Sequence, residues 1–284
     1  MSDRSEAFDH ATDDRPKGFR LKAEEKAPNT QTPKHLTMMT DPIIDRSFVI
    51  PVLDFSPHSP YNIHTLLDDL GPLAGEVICI FNSVAVFESL KDHPRIDKYA
   101  YNKLNAGVSR SWNIGLNLAE GAAVFVFNAD LHIGPAAVDQ LAHYLFALPH
   151  AVIVGPQGSL LDFKNLTVLH YYEKGHFHEP VRTHDVSGFC FAIHRERFLA
   201  HGLGFDVRYS PCFMEEWDMG LQVIQAELAC YAVPVTDFDH HWGVSTASGQ
   251  APIHYFGRPV ARNDVLAANR SKFLAKWFVR KDEG

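Results

Sequence analysis

The stretch "FVFNADLHIGP", Phe125 to Pro135, begins as a continuous apolar strand and then sets an acid, Asp130, where the apolar run ends. A strand that is apolar at every position is buried on both faces, as in a parallel sheet covered by helices on both sides. In such sheets ligands bind outside the carboxyl ends of the strands. Asp130 therefore marks both a covered α/β sheet and a ligand at its edge. Magnesium and manganese favour hard oxygen ligands and often take only one or two carboxylates from protein, filling their other positions with water and substrate phosphate oxygens. Asp130 is thus a candidate ligand for a divalent cation, Mn2+ or Mg2+, carrying a nucleotide diphosphate. The plainer reading is a cap on the turn of Gly134 and Pro135, or on the helix that follows it.

The same alternation of short apolar runs and amphipathic segments extends outward from this stretch. Strands are predicted at 47–53, 76–81, 123–128 and 151–156, with helices near 61–70, 107–120 and 136–147. The helical period is clear in 107–120, where Val108, Trp112, Gly115, Leu116 and Ala119 share one face. The second half is less regular, with a strand at 186–194, a helix at 214–226, a short strand at 230–235 and a final helix over 261–278. Residues 1–45 are rich in charged residues, Pro and Thr and lack either period, so they read as a disordered tail. Met38 or Met39 offers a start closer to the folded part.

With 284 residues, 46% of them hydrophobic, the chain can bury a large core. Its net charge of −8, from 26 basic and 34 acidic residues, argues against sequence-independent binding to nucleic acid, which needs basic surface. No apolar run approaches the roughly 18 residues of a membrane span, and the first residues lack a signal-peptide core. A cytoplasmic location is the expectation, with peripheral contact at the inner face of the membrane left open. Cys79, Cys190, Cys212 and Cys230 lie far apart and read as reduced thiols, not as a zinc site or a disulfide framework.

Two further segments carry chemistry. In "FMEEWDMGLQVI", Glu215, Glu216 and Asp218 crowd the first turn of a helix; they match its dipole, and their crowding can also raise one of them into the range of a general base. In "DFDHHWGVS", His240 and His241 follow a short strand, whose alternation can turn one imidazole to the core and the other to a cleft. The histidines of "HYYEKGHFHEP", His170, His176 and His178, sit in an aromatic and charged context that reads as a loop.

The order of these parts, from Phe48 to Trp277, resembles glycosyltransferase family 2, the nucleotide-sugar-dependent transferases of the GT-A fold. "NKLNAGVSRSWNIGLNLAEGAAVFVFNAD" is similar to the family's run into its Asp-x-Asp-type metal motif, here Asn128, Ala129 and Asp130. "VSGFCFAIHRERFLAHGLGFDVRY" is similar to its Gly-containing strand and Gly-Phe-Asp turn, "EEWD" to its Glu-Asp-x-Asp motif, and "HHWGVS" to its late histidine segment. The resemblance implies a GT-A fold over 46–284, a mostly parallel central sheet flanked by helices with a smaller mixed C-terminal acceptor region. It places a nucleotide-sugar-binding half at 46–156 and an acceptor and catalytic half at 157–284.

By the same resemblance Asp130 holds the cation, with His240 or His241 as a further ligand. Asn128, Asn105, Gly107 and Arg110 belong to the donor pocket, as do Pro51, Asp54 and Asn82 at the ends of the first two strands. Glu216 falls at the base, its side chain one methylene longer than the family's aspartate, so that either the backbone is set back there or Asp218 or Glu215 does the work; Gly188 and Trp217 face the acceptor. The implied activity is inverting transfer of a sugar from a nucleotide sugar to a glycan or glycolipid hydroxyl. The chain departs from the family at Pro51-Val52-Leu53-Asp54, where Pro-Thr-Tyr-Asn is usual, and at Phe81-Asn82-Ser83, where an acid reads the nucleobase. A GT-A scaffold that binds nucleotide or glycan without turnover is the alternative.

Overall fold

The computed structural model describes residues 45–57, 59–240 and 252–279. The first half alternates strand and helix: β1 (Arg46–Val52), α1 (Ile63–Leu70), β2 (Glu76–Phe81), α2 (Val84–Leu90), β3 (Lys98–Tyr101), α3 (Val108–Leu118) and β4 (Ala123–Phe127). There follow β5 (Leu131–Ile133), α4 (Pro135–Ala147), β6 (Ala151–Gly155), β7 (Gly158–Asp162), β8 (Thr167–Tyr172), β9 (Val181–Thr183), β10 (Asp185–Val186) and β11 (Cys190–His194). The rest comprises α5 (Arg195–Ala200), a 3-10 turn at Val207–Tyr209, α6 (Glu215–Gln225), β12 (Ala229–Ala232), β13 (Phe238–His240), β14 (Ile253–Tyr255), β15 (Arg258–Val260) and α7 (Arg262–Trp277).

The main sheet has eight strands in the order β3-β2-β1-β4-β11-β6-β12-β9. β3, β2, β1 and β4 are mutually parallel, as are β6 and β12, whereas β11 runs against both its neighbours. Side chains alternate across it: Phe48, Ile50, Phe125 and Phe127 enter one core, Val49, Val124 and Val126 the other. The helix face expected for 107–120 packs on the second core. Its Gly115 is required there, because a Cβ would stand 2.1 Å from Val49 Cγ1.

The expected strand over 186–194 is divided. β10 pairs with β7 in a small antiparallel sheet, β11 joins the main sheet, and Ser187–Phe189 crosses between them. The strand expected at 230–235 is the shorter β12. Cys79, Cys190 and Cys230 are buried free thiols and Cys212 is half-buried, as expected.

α6 and α7 are joined through one carboxylate. Asp218 is fully buried (0% exposed). Its oxygens accept from Tyr209 Oη at 3.1 Å, Gln222 Nε2 at 2.8 Å, Trp277 Nε1 at 2.7 Å and Lys276 Nζ at 2.8 Å. Around it Tyr209, Met214 and Phe273 form a third core, against which Phe163, Trp217 and Trp277 pack. Removing one partner of a buried, hydrogen-bonded ion pair costs about 3–5 kcal/mol. Asp218→Ala should lower the unfolding free energy in urea by about 3 kcal/mol, the low end because Lys276 keeps Asp206 as a partner at 3.0 Å. A loss under about 1 kcal/mol, the size of an ordinary surface change, would refute this joint.

Candidate active site

The carboxyl ends of β1, β2 and β4 open onto a cleft of about 400 Å³. Pro51, Leu53, Asp54 and Ser56 line it after β1, Asn82 after β2, and Asn128, Ala129 and Asp130 after β4. The chain entering α3 supplies Asn105, Gly107, Val108 and Ser111. Gly107 has φ 90°, and a Cβ there would lie 2.8 Å from Ser210 Cβ, so only glycine lets the chain turn into α3 against the Ser210–Pro211 segment. The opposite wall carries Pro211, Cys212, Pro252, Ile253, His254 and Arg262.

At the end of β4, Asp130 is 3% exposed. The antiparallel pairing of β13 with β5 sets His240 across from Leu131, which brings His240 Nε2 to 3.5 Å from Asp130 Oδ1. Asn128 Nδ2 is also 3.5 Å from that nitrogen, and the imidazole stacks on Phe189 with ring centres 4.4 Å apart. Asp130 Oδ2 is buried and has no hydrogen-bond partner among the described residues. An ionised oxygen left so is costly, and a hard cation would satisfy it. Among the described residues no group of three or more His, Cys, Asp or Glu side chains could hold a metal ion. A cation here would therefore take one carboxylate and one imidazole from them and need oxygens from a ligand or water. His241 lies outside the described residues.

The three acids of α6 have different surroundings. Asp218, an expected alternative for the base, is committed to the α6–α7 joint: four side chains donate to it and none of its surface is open. Glu215 is 3% exposed, its Oε2 has no partner among the described residues, and burial together with the neighbouring Glu216 charge holds it well above the carboxylate range. Glu216 is half-buried and accepts the Gly188 N–H. A Cβ on Gly188 would stand 2.2 Å from Glu216 Oε1 and 3.0 Å from the Trp112 ring, so that turn is shaped around the glutamate. Burial, and secondarily the charge of Asp185, raises Glu216 to about 7. Its side chain borders a narrow apolar recess formed with Val186, Phe191, Met219 and Cys230.

Several residues expected to bind the donor hydrogen-bond within the wall. Asn82 donates to Ile80 O and Ser111 Oγ and accepts from Asn102 Nδ2 and Ala106 N. Asn105 Nδ2 donates to His254 O while its Oδ1 accepts the Gly107 N–H. Arg110 donates to Ala106 O, Ser210 Oγ and Tyr255 Oη and lies over the Phe256 ring, clasping the β14–β15 hairpin. Trp217, expected at the acceptor, meets Phe163 and Phe273 edge-on in the third core. Asp54 is exposed in the cleft and accepts the Ser56 N–H through Oδ1. His254 and Arg262 were not foreseen; they come from the hairpin and the first residue of α7, where no motif marks them.

No protein-family model and no curated protein sequence matches the chain. Among solved structures, it is similar to GalNAc-T7 crystallised with UDP, GalNAc and Mn2+, with 14% identity, 83% of this chain and 48% of that chain covered, and a TM-score of 0.60. It is also similar to S. aureus TarS 1-349 in complex with UDP-GlcNAc, with 12% identity, 84% and 68% coverage, and a TM-score of 0.54. The chain spans about half the length of the GalNAc-T7 chain. What these structures share with it is the α/β fold, a large and mostly parallel central sheet flanked by helices, which matches the GT-A-type glycosyltransferases.

Proposed function

We propose that the protein is a family 2-like inverting glycosyltransferase that moves a sugar from a nucleotide-sugar donor to a hydroxyl of a glycan or glycolipid. The observation that carries this reading is the Asp130–His240 pair, its carboxylate oxygen without a partner among the described residues, at the edge of a cleft sized for a small ligand. The UDP and UDP-GlcNAc bound by the structural neighbours support the donor class. Asp130 and His240 would hold a divalent cation, Mn2+ or Mg2+, which when bound neutralises charge on the leaving diphosphate. Asn128 orients the imidazole, Pro51 and Asp54 border the donor's nucleoside end, and Arg262 adds positive charge on the opposite wall. Glu216 accepts the proton of the attacking hydroxyl, its raised affinity for protons suiting it to work near neutral pH. Gly188 leaves room beside it. No helix among the described residues is long and apolar enough to cross a membrane, so a lipid-linked acceptor would be met by peripheral contact.

A second reading is a scaffold that binds nucleotide without turnover. It is favoured by the position of Glu216, whose carboxylate rests on Gly188 and borders the recess. In a thermal-shift panel of UDP, GDP, dTDP and CMP with manganese or chelator, one nucleotide at 100 times its Kd should raise Tm by about 5–10 °C, only with metal. Asp130→Ala should abolish that shift; a shift that survives in Asp130→Ala or in chelator would overturn the cation site. Glu216→Gln should keep the shift and lose transfer by about 10²–10⁴-fold. Wild-type transfer rates in that variant would rule out the base assignment, and nucleotide binding without any transfer by the wild type would favour the scaffold.

Stability gives an independent check on Glu216. The folded state holds its proton up to about pH 7, whereas the unfolded chain releases it near the ordinary carboxylate range, about pH 4.3. Between those values the native state binds more protons, so stability falls as pH rises through the window. Glu215 contributes with the same sign. Glu216→Gln should therefore gain Tm over wild type progressively from pH 5 to pH 7.5; parallel Tm curves would show that Glu216 is not held protonated.

A further inference from the structure

Both residues of the candidate cation site are carried by β5 and β13, a two-stranded ribbon outside the main sheet. Asp130 sits in the turn from β4 into β5, which Leu131 N–H closes by donating to Asn128 O at 3.2 Å, and His240 ends β13. β4 is fixed by its neighbours in the main sheet, whereas among the described residues β13 pairs with β5 alone. A two-stranded ribbon is marginal in water by itself, so its place depends on what holds it from outside. Two side chains from distant parts of the chain do so, one for each strand. Asp69, near the end of α1, accepts the Ile133 N–H at 3.1 Å through Oδ2, the same oxygen that lies 2.9 Å from His132 Nδ1. Lys174, in the connection between β8 and β9, donates to Phe238 O, lies 4.7 Å from the centre of the Phe238 ring and stands 3.8 Å from Asp239 Oδ1. Tyr61 bridges the two strands, stacking on His132 with ring centres 5.0 Å apart and donating to Asp239 Oδ2 at 3.4 Å. Neither Asp69 nor Lys174 is among the residues that line the cleft.

We propose that Asp69 and Lys174 are positioning residues that hold the β5–β13 ribbon in place, so that His240 stays within reach of Asp130. The consequence for a cation rests on the Asp130–His240 reading; the anchoring of the ribbon does not. A charge-assisted hydrogen bond is roughly twice as strong as a neutral one, and an ammonium over an aromatic face adds to it. The carbonyl and ring of Phe238 and the carboxylate of Asp239 thus meet one cation, which fixes β13 at the two residues before His240. His240 Nε2 lies 3.5 Å from Asp130 Oδ1, so a slip of β13 would part the two groups that a cation would have to bridge.

The test uses the full chain, first without ligand. The His240 ring stacks on Phe189 with centres 4.4 Å apart, so its ring protons should resonate upfield of their ordinary positions, and that shift reports where β13 lies. Lys174→Met keeps an apolar stem beside Phe238 and removes the ammonium. It should move the His240 signals, assigned by their loss in His240→Gln, back toward ordinary values, and speed amide exchange in β5 and β13 about tenfold while β1, β2 and β4 stay unchanged. Lys174→Arg should restore both. Asp69→Ala should act in the same direction through β5, which serves if Lys174→Met fails to fold. Unmoved His240 signals and ribbon exchange in either folded variant would overturn the proposal, as would exchange that quickens equally throughout the main sheet. Mn2+ alone, followed by the EPR signal of the free ion, should then bind Lys174→Met about 10–100-fold more weakly than wild type. Wild-type Mn2+ affinity in a variant whose ribbon has moved would overturn the link to the site. No Mn2+ binding by wild type, or binding that survives Asp130→Ala, would sink the cation reading and leave the anchoring standing on the NMR result.

Discussion

The buried charge of Asp218 sets the position of α6, and with it two of the acids that face the functional region. An unpaired carboxylate in a core is expensive, so the chain must bring donors to it. Those donors come from the 3-10 turn, from α6 itself and from the last turn of α7. Asn269, also on α7, donates to Tyr209 O, Cys212 O and Phe213 O, the backbone that leads into α6. That backbone needs the support. Phe213 and Met214 are consecutive non-glycine residues at φ 78° and 79°, a left-handed conformation costing on the order of 1–3 kcal/mol for each. The strained pair aims the first turn of α6, and α7, which carries Arg262 to the cleft wall at its other end, holds it in place.

One helical turn therefore divides three carboxylates by environment. Asp218 points to the α7 side and finds positive charge. Glu215 is buried with an oxygen unpartnered among the described residues, and Glu216 reaches the turn at Gly188. A helix advances about 100° per residue, so neighbours in sequence cannot share one environment. Two glycines complete the division: Gly188, in the segment between β10 and β11, makes room for the Glu216 carboxylate, and Gly220, on α6, lets that helix approach the His184 carbonyl. Proton affinity at this position is thus a property of packing more than of residue type.

The fold was legible because its signal is repeated. β4 and β6 are apolar throughout, β1 from Phe48 and β2 from Val77, and the amphipathic period of α3 needs no partner to be seen. The position of Asp130 at the end of β4 followed directly from that pattern. Its pairing with His240 did not come from periodicity, since it depends on the register of β13 on β5, a contact between residues 110 apart in sequence. The family resemblance supplied it. At Asn82, Asn105 and Arg110, which the resemblance assigns to the donor pocket, the structure adds hydrogen bonds within the wall that no local pattern announced. The break between β10 and β11 was hidden because "VSGFCFAIH" reads as one strand; only the glutamate packed on Gly188 shows why the chain leaves the sheet. His254 and Arg262 had no local pattern to reveal them.

Those residues say something about how the cleft is built. Asn82 links the end of β2 to Ser111 on α3, Ser111 Oγ donates to Gly107 O, Asn105 ties Gly107 to the β14–β15 hairpin, and Arg110 clasps the hairpin's tyrosine. Side chains from three separate stretches of chain are fixed by one another before any ligand arrives. Ordering them on binding would cost about 0.5–1.5 kcal/mol for each immobilised side chain, a cost that a wall already closed by its own hydrogen bonds does not incur. Of the acids that line the cleft, Asp54 is exposed and Asp130 has a buried oxygen with no partner among the described residues. A wall built in this way is fixed in advance of binding, and at Asp130 a carboxylate is buried deeply enough for a cation to be its natural complement.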